Sequence, residues 1–89
     1  MASRLKNFRI KKQRTNYLGE YLRKQRQKAN KSLADVRKDT GLTRGYISMV
    51  ENGNSSVDDL RKLLFFSNYY DVTLNKLIKL YMEDKQYDW

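Results

Sequence analysis

Arg44, Gly45, Ser48, Met49 and Asn52 fall at the one-, three- and four-residue spacings that a helix gathers onto one outward stripe. Arginine offers a fork of N–H donors, serine and asparagine both donate and accept, a thioether is apolar, and glycine lets a backbone come close. These residue types suit contact with a partner, not bond-making. A face that only needed to be wet would more often carry Lys and Glu. The plain alternative, a solvated face on an ordinary small helical bundle, stays open on this stretch alone. With no His and no Cys in the chain, zinc fingers, Cys/His nucleophile pairs and histidine acid–base chemistry are excluded. The acids are scattered, no nucleophile has a base near it in motif, and no Gly-rich loop could cradle a phosphate. The expectation is therefore no enzyme, no metal, no cofactor and no small-molecule substrate.

Two short amphipathic patterns within Ser32–Asn52, SLADVRKDTGLTRGYISMVEN, must position that stripe. Ser32 is a good N-cap for the first, with Asp35 suited to the positive end of the helix dipole. Leu33 and Val36 share a face, with Thr40 a turn further on. Gly41 stops the helix, because glycine enters the left-handed region without a Cβ penalty. Thr43 caps the next helix, leaving only Gly41 and Leu42 between the two. That second helix turns Ile47, Val50 and part of Tyr46 inward and the stripe outward. The pattern reads as a helix-turn-helix.

Around it, 89 residues make a single domain small enough to bury about 60–65% of its unfolded surface. The formal charge of +9 is concentrated at one end. Residues 1–31 carry eleven Lys or Arg against Glu20 alone, whereas residues 32–89 carry eight bases and nine acids. Such asymmetry points to a polyanion, nucleic acid first and anionic membrane second. Residues 1–16 hold six bases and no acid. They read as a flexible basic arm in which Arg4, Arg9, Lys11, Lys12 and Arg14 track phosphate or enter a minor groove, against the plainer reading of a solubilising tail. Leu5, Phe8 and Ile10 weaken that plainer reading. No apolar run approaches the roughly 18 residues of a membrane span, and the first residues lack a signal peptide's apolar core. A cytoplasmic, nucleoid-associated protein with no membrane partner is expected.

The helical body occupies residues 17–82 and a short polar and aromatic tail residues 83–89. A first helix over Tyr17–Ala29 places Leu18, Tyr21, Leu22, Gln25 and Ala29 on one face and Arg23, Lys24, Gln27 and Lys28 opposite. Ser56 with Asp59 forms a capping-box-like start to a fourth helix over Val57–Tyr69, burying Leu60, Leu63, Leu64, Ser67 and Tyr70 by spacing. Phe65, Phe66 and Tyr69 make this helix apolar around much of its girth. Thr73 caps a fifth helix over Leu74–Met82, with Leu74, Leu77, Ile78 and Tyr81 on one face. No segment reads as a strand, and Tyr87 and Trp89 find no place. The class is all-α, a compact five-helix bundle with a basic N-terminal arm.

The words LGEYLRKQR, SLADV, TGLTRGYISMVENG and DVTLNKL, in this order and spacing between Leu18 and Ile78, resemble the Cro and phage-repressor, xenobiotic-response-element-like family of helix-turn-helix DNA-binding domains. The resemblance implies the lambda-repressor-like bundle. It pairs Arg26 with Glu51 as a structural ion pair, so Arg26 is not assigned to DNA. It makes Arg44, Gly45, Ser48 and Met49 the base-reading surface, Arg44 suiting guanine O6 and N7 and Met49 a thymine methyl. Thr43, Tyr46, Asn52 and Asn54 take phosphate-contacting positions, joined by Ser32 at the start of the second helix. Two positions depart from the family pattern. Leu33 stands where the family usually has a phosphate-clamping Gln, and Arg37 where it usually has Ala at a close helix crossing.

The leading functional expectation is a sequence-specific double-stranded DNA-binding transcriptional regulator, repressor-like, of prokaryotic, phage or mobile-element type, reading the major groove with Thr43–Asn52. Its partners are double-stranded DNA, a second copy through the fifth helix and C-terminal tail, and a regulatory protein. The alternative is an antitoxin-like or adaptor module whose body grips a protein while the arm gives auxiliary nucleic-acid affinity.

Overall fold

The computed structural model describes residues 9–10, 15–54, 57, 59–84 and 87–88. Five helices follow in order: α1 Tyr17–Lys28, α2 Leu33–Thr40, α3 Arg44–Glu51, α4 Leu60–Tyr70 and α5 Leu74–Asp84. Strands β1 (Arg9–Ile10) and β2 (Tyr87–Asp88) add a short antiparallel pairing, Arg9 opposite Asp88 and Ile10 opposite Tyr87. The all-helical reading did not include it. At two residues a side it leaves the class all-α.

Local chemistry sets the boundaries of α2 and α3. The Ser32 hydroxyl accepts the Asp35 N–H at 3.0 Å while the Asp35 carboxylate accepts the Ser32 N–H at 2.8 Å, a reciprocal cap that satisfies two otherwise orphaned donors. Gly41 closes α2 at φ 81°, left-handed backbone that a side chain would strain. Thr43 Oγ1 then accepts the Tyr46 N–H at 3.1 Å to start α3.

The core gathers Leu18 and Leu22 of α1, Val50 of α3, Val57, Leu63 and Phe66 from the α4 region, and Leu77 of α5, while Val36 and Ile47 are buried between α2 and α3. α1 lies in the centre, against α3, α4 and α5. Gly19 makes its crossing with α3 close: a Cβ there would stand 2.5 Å from the Val50 carbonyl and 2.8 Å from that of Glu51. Asn16 seals the same seam by donating its amide N–H to the Glu51 carbonyl at 2.8 Å.

Two expectations for α4 are corrected. It begins at Leu60 with Asp59 as N-cap, not at Val57, because the Asp59 carboxylate accepts the Arg61 N–H at 2.8 Å and fixes the first turn there; Ser56 lies outside the described residues. Its buried face is Leu63, Phe66 and Ser67, whereas Leu60 and Leu64 are 61% and 47% exposed. A helix apolar around its girth offers more than one stripe of helical spacing, and contact with α1 and α5 selects the one carrying Phe66. Ser67 is tolerated inside because its hydroxyl donates to the Val72 carbonyl at 2.5 Å. α5 runs to Asp84, two residues past Met82.

Candidate nucleic-acid interface

α3 is held from beneath by Ile47, Val50 and Glu51, all buried. Its outer side carries Arg44, Gly45 and Met49, all exposed, with Ser48 half-buried beside them and exposed Asn52 at the end. Met49 keeps 47% of its surface in solvent, and a Cβ built on Gly45 would meet nothing within 4 Å. The structure therefore brings the four expected base-reading residues together on one accessible surface.

The residues expected at phosphates sit around its edges. The hydroxyl oxygens of Thr43 and Ser32 are used as helix caps, which leaves each O–H proton free to donate outward. Tyr46 is half-buried against the core, and exposed Asn54 donates its backbone N–H to the Met49 carbonyl at 2.8 Å. Asn52 is more engaged than its exposure suggests: its carboxamide oxygen accepts from Arg23 Nη2 and its Nδ2 donates to Ser48 Oγ at 3.3 Å. Leu33 is half-buried, and Arg37 points into solvent from α2. Of the arm, Arg4, Lys11, Lys12 and Arg14 lie outside the described residues, and Arg9 is described only through its backbone in β1.

Behind α3, Arg26 and Glu51 form a two-pronged ion pair, Nε to Oε2 at 2.7 Å and Nη2 to Oε1 at 2.9 Å. Glu51 is 4% exposed and Arg26 13%, so the pair is largely withdrawn from water. The hydrogen bonds it donates to Glu51 hold the Arg26 guanidinium above its ordinary range against the opposing effect of burial. Arg26 Nη1 also donates to the Lys31 carbonyl at 3.0 Å, tying the end of α3 to the α1–α2 turn. Removing either partner strands a buried charge, at a cost of roughly 3–5 kcal/mol. A second fastening joins the α1–α2 turn, α2 and α4, where Lys31 Nζ and Tyr69 Oη both donate to Asp39 Oδ2, at 2.8 and 2.6 Å.

Sequence reasoning missed four participants: Asn16, Gly19, Arg23 and Asp84. Arg23 lies one turn before Arg26, and that i, i+3 spacing was a usable signal that both point toward α3. Nothing local marks the others, since they act across 35 residues (Asn16 to Glu51) and 66 residues (Leu18 to Asp84). Thr40, Leu42, Tyr46, Asp59, Lys62 and Phe65 line an open, mainly apolar groove of about 440 Å³.

A helix-turn-helix domain family matches residues 19–83, which runs from the third residue of α1 to all but the last residue of α5. The chain belongs to the helix-turn-helix family. Its words are those of the Cro and phage-repressor type, and the two-helix unit α2–α3 with its exposed stripe is the part that gives the family its name. Among solved structures, this helix-turn-helix chain is similar to the master regulator for biofilm formation SinR, solved in complex with DNA, with a TM-score of 0.60 and 21% sequence identity over 68% of this chain and 97% of that one. At that identity the likeness is one of fold. No curated protein matches by sequence. Among the described residues no helix is long and apolar enough to cross a membrane, and no three acids cluster as a metal site would require.

Proposed function

We propose that this chain is a sequence-specific double-stranded DNA-binding protein that regulates transcription, repressor-like and of prokaryotic, phage or mobile-element type, with α3 reading the major groove. The observation that carries this is the accessible stripe Arg44, Gly45, Ser48 and Met49 on a helix whose opposite side is locked into the core. Membership of the helix-turn-helix family supports it, as does likeness to a regulator solved with DNA. In this reading Arg44 takes guanine O6 and N7, Met49 lies against a thymine methyl, and Gly45 lets the backbone approach the base edges. Thr43, Tyr46, Asn52, Asn54 and Ser32 fix register on phosphates, while Arg4, Arg9, Lys11, Lys12 and Arg14 hold the duplex from outside.

A second copy joined through α5 and the tail would read half-sites about one helical turn, roughly 34 Å, apart. Selection of bound fragments from random duplex DNA tests the reading, and a palindromic winner reports both site and dimer symmetry. Arg44→Ala should lower preference among sequences, whereas Lys11→Ala should weaken all duplexes alike. Binding that ignores sequence in the wild type, or unaltered preference in Arg44→Ala, removes the assignment.

The exposed apolar side chains Leu60, Leu64 and Phe65 on α4 favour a second reading, an antitoxin-like or adaptor module that grips a protein partner. Full competition of all DNA binding by random duplex, together with saturable binding of a protein partner that Leu60→Ser and Leu64→Ser abolish, would select it.

A further inference from the structure

We propose that Arg23 and Asn52 form one phosphodiester-binding site at the junction of α1 and α3, with the Arg23 guanidinium as the charge that holds a DNA phosphate beside the bases read by α3. The inference rests on the reading of this chain as a duplex-DNA binder. Three observations point to it. Both carboxylate oxygens of Glu51 are already met at hydrogen-bond distance by Arg26, whereas Arg23 stands 3.6 Å off. One buried acid thus faces two arginines, and the second charge is surplus to neutralising it.

Arg23 is also held in place and accessible. Its side chain is 39% exposed, on the outer edge of the seam, and Nη2 donates to the Asn52 carboxamide oxygen. A guanidinium carries five N–H donors in a rigid fork, and only one is satisfied by that bond. Finally, the contact continues onto the reading helix, because Asn52 Nδ2 donates to Ser48 Oγ at 3.3 Å. Arg23 therefore fixes which way the Asn52 amide faces, and the phosphate bound there is kept in register with Ser48. A phosphate oxygen at the outer edge of the pair meets the Arg23 N–H groups that Asn52 does not take and the second Nδ2 N–H of Asn52, the one not given to Ser48, without either helix moving.

The test is the salt dependence of duplex binding in Arg23→Gln, Arg23→Lys and Asn52→Asp. In Arg23→Gln the slope of log affinity against log salt should fall by about 0.9, so that raising salt fourfold weakens binding by about threefold less than in wild type. Preference among sequences should stay unchanged, and so should the melting temperature, since Glu51 keeps Arg26. Arg23→Lys should retain the slope. Asn52→Asp, which sets a carboxylate against the guanidinium, should lose slope as Arg23→Gln does, and it provides an independent route if the glutamine variant folds poorly. A full wild-type slope in Arg23→Gln, or a lowered melting temperature with the slope intact, overturns the site and leaves DNA binding by α3 standing. Failure of the wild type to bind duplex DNA at any salt overturns the broader reading instead.

Discussion

Asp84, the last residue of α5, caps the first turn of α1: its carboxylate accepts the N–H of Leu18 at 2.9 Å and that of Tyr17 at 2.8 Å. Thr15 adds its hydroxyl at 2.6 Å. Asn16, the residue formally at the N-cap, makes no side-chain cap, and its side chain is turned instead to donate to the Glu51 carbonyl. The last helix supplies the missing acceptor, and a negative charge there also meets the positive end of the helix dipole.

Asp84→Ala should therefore behave as the loss of an N-cap despite lying in another helix. The expected cost is about 1–2 kcal/mol, read as a lower urea midpoint at unchanged slope. Asp84→Asn, which keeps an acceptor and loses the charge, should recover part of it.

The two helical glycines should respond in opposite directions. Gly19→Ala drives a methyl into two backbone carbonyls of α3 and should destabilise by at least about 2 kcal/mol. Gly45→Ala meets open space and should stabilise by nearly 1 kcal/mol through helix propensity. The same Gly45 methyl stands on the reading surface, so binding to the selected duplex should weaken while thermal stability rises.

The inward face of α4 gives a direct comparison. Phe66→Ala should cost about 3–5 kcal/mol, as truncation of a buried aromatic does. Leu64→Ala should cost under about 1 kcal/mol, because that side chain is already half in water. Chemical denaturation of both variants separates the face the structure uses from the one spacing alone offered.

At low pH, three carboxylates should report together. The backbone N–H and hydroxyl of Ser32 lower Asp35; hydrogen bonds from Lys31 and then Tyr69 lower Asp39; and a hydrogen bond from Arg61 lowers Asp59. Each releases its proton more readily folded than unfolded, so its stabilising effect is complete above the unfolded value of 3.8 and is lost as pH falls through the lower folded value. The urea midpoint should fall over this range, and Asp39→Asn should flatten the fall.

At high pH the sign reverses. Burial, then the nearby Glu51 charge, pushes the Tyr70 phenol up to about 12, so folding favours its neutral form. That contribution is complete below the unfolded value of 10.0 and is lost as pH rises through 12. Tyrosinate absorbance should keep rising near pH 12, and Tyr70→Phe should remove part of that late rise.

What the sequence made legible was whatever acts within about one helical turn. The Ser32 cap, the Gly41 stop and the Thr43 cap each depend on neighbours three or four residues away, and they fixed α2 and α3 closely, although Asp35 was read only for its charge and not for its return bond to the Ser32 N–H. The outward stripe of α3 followed from the same spacing. α4 was harder: Asp59 could be read as the partner of Ser56 or as a cap itself, and an all-round apolar helix has no single face to point to. Arg26 and Glu51 entered through family resemblance, and the Asp84 clasp through neither route. Nothing in an isolated acid near the end of a helix says which distant amides it will meet.

Thr15 and Asp84 touching has a geometric corollary for the whole chain. The helical body is threaded so that its first and last residues share a corner, and the short strands β1 and β2, which precede and follow that body in the chain, pair with each other. A label placed on β1 is carried beside β2, and any second copy gripping β2 comes within reach of β1.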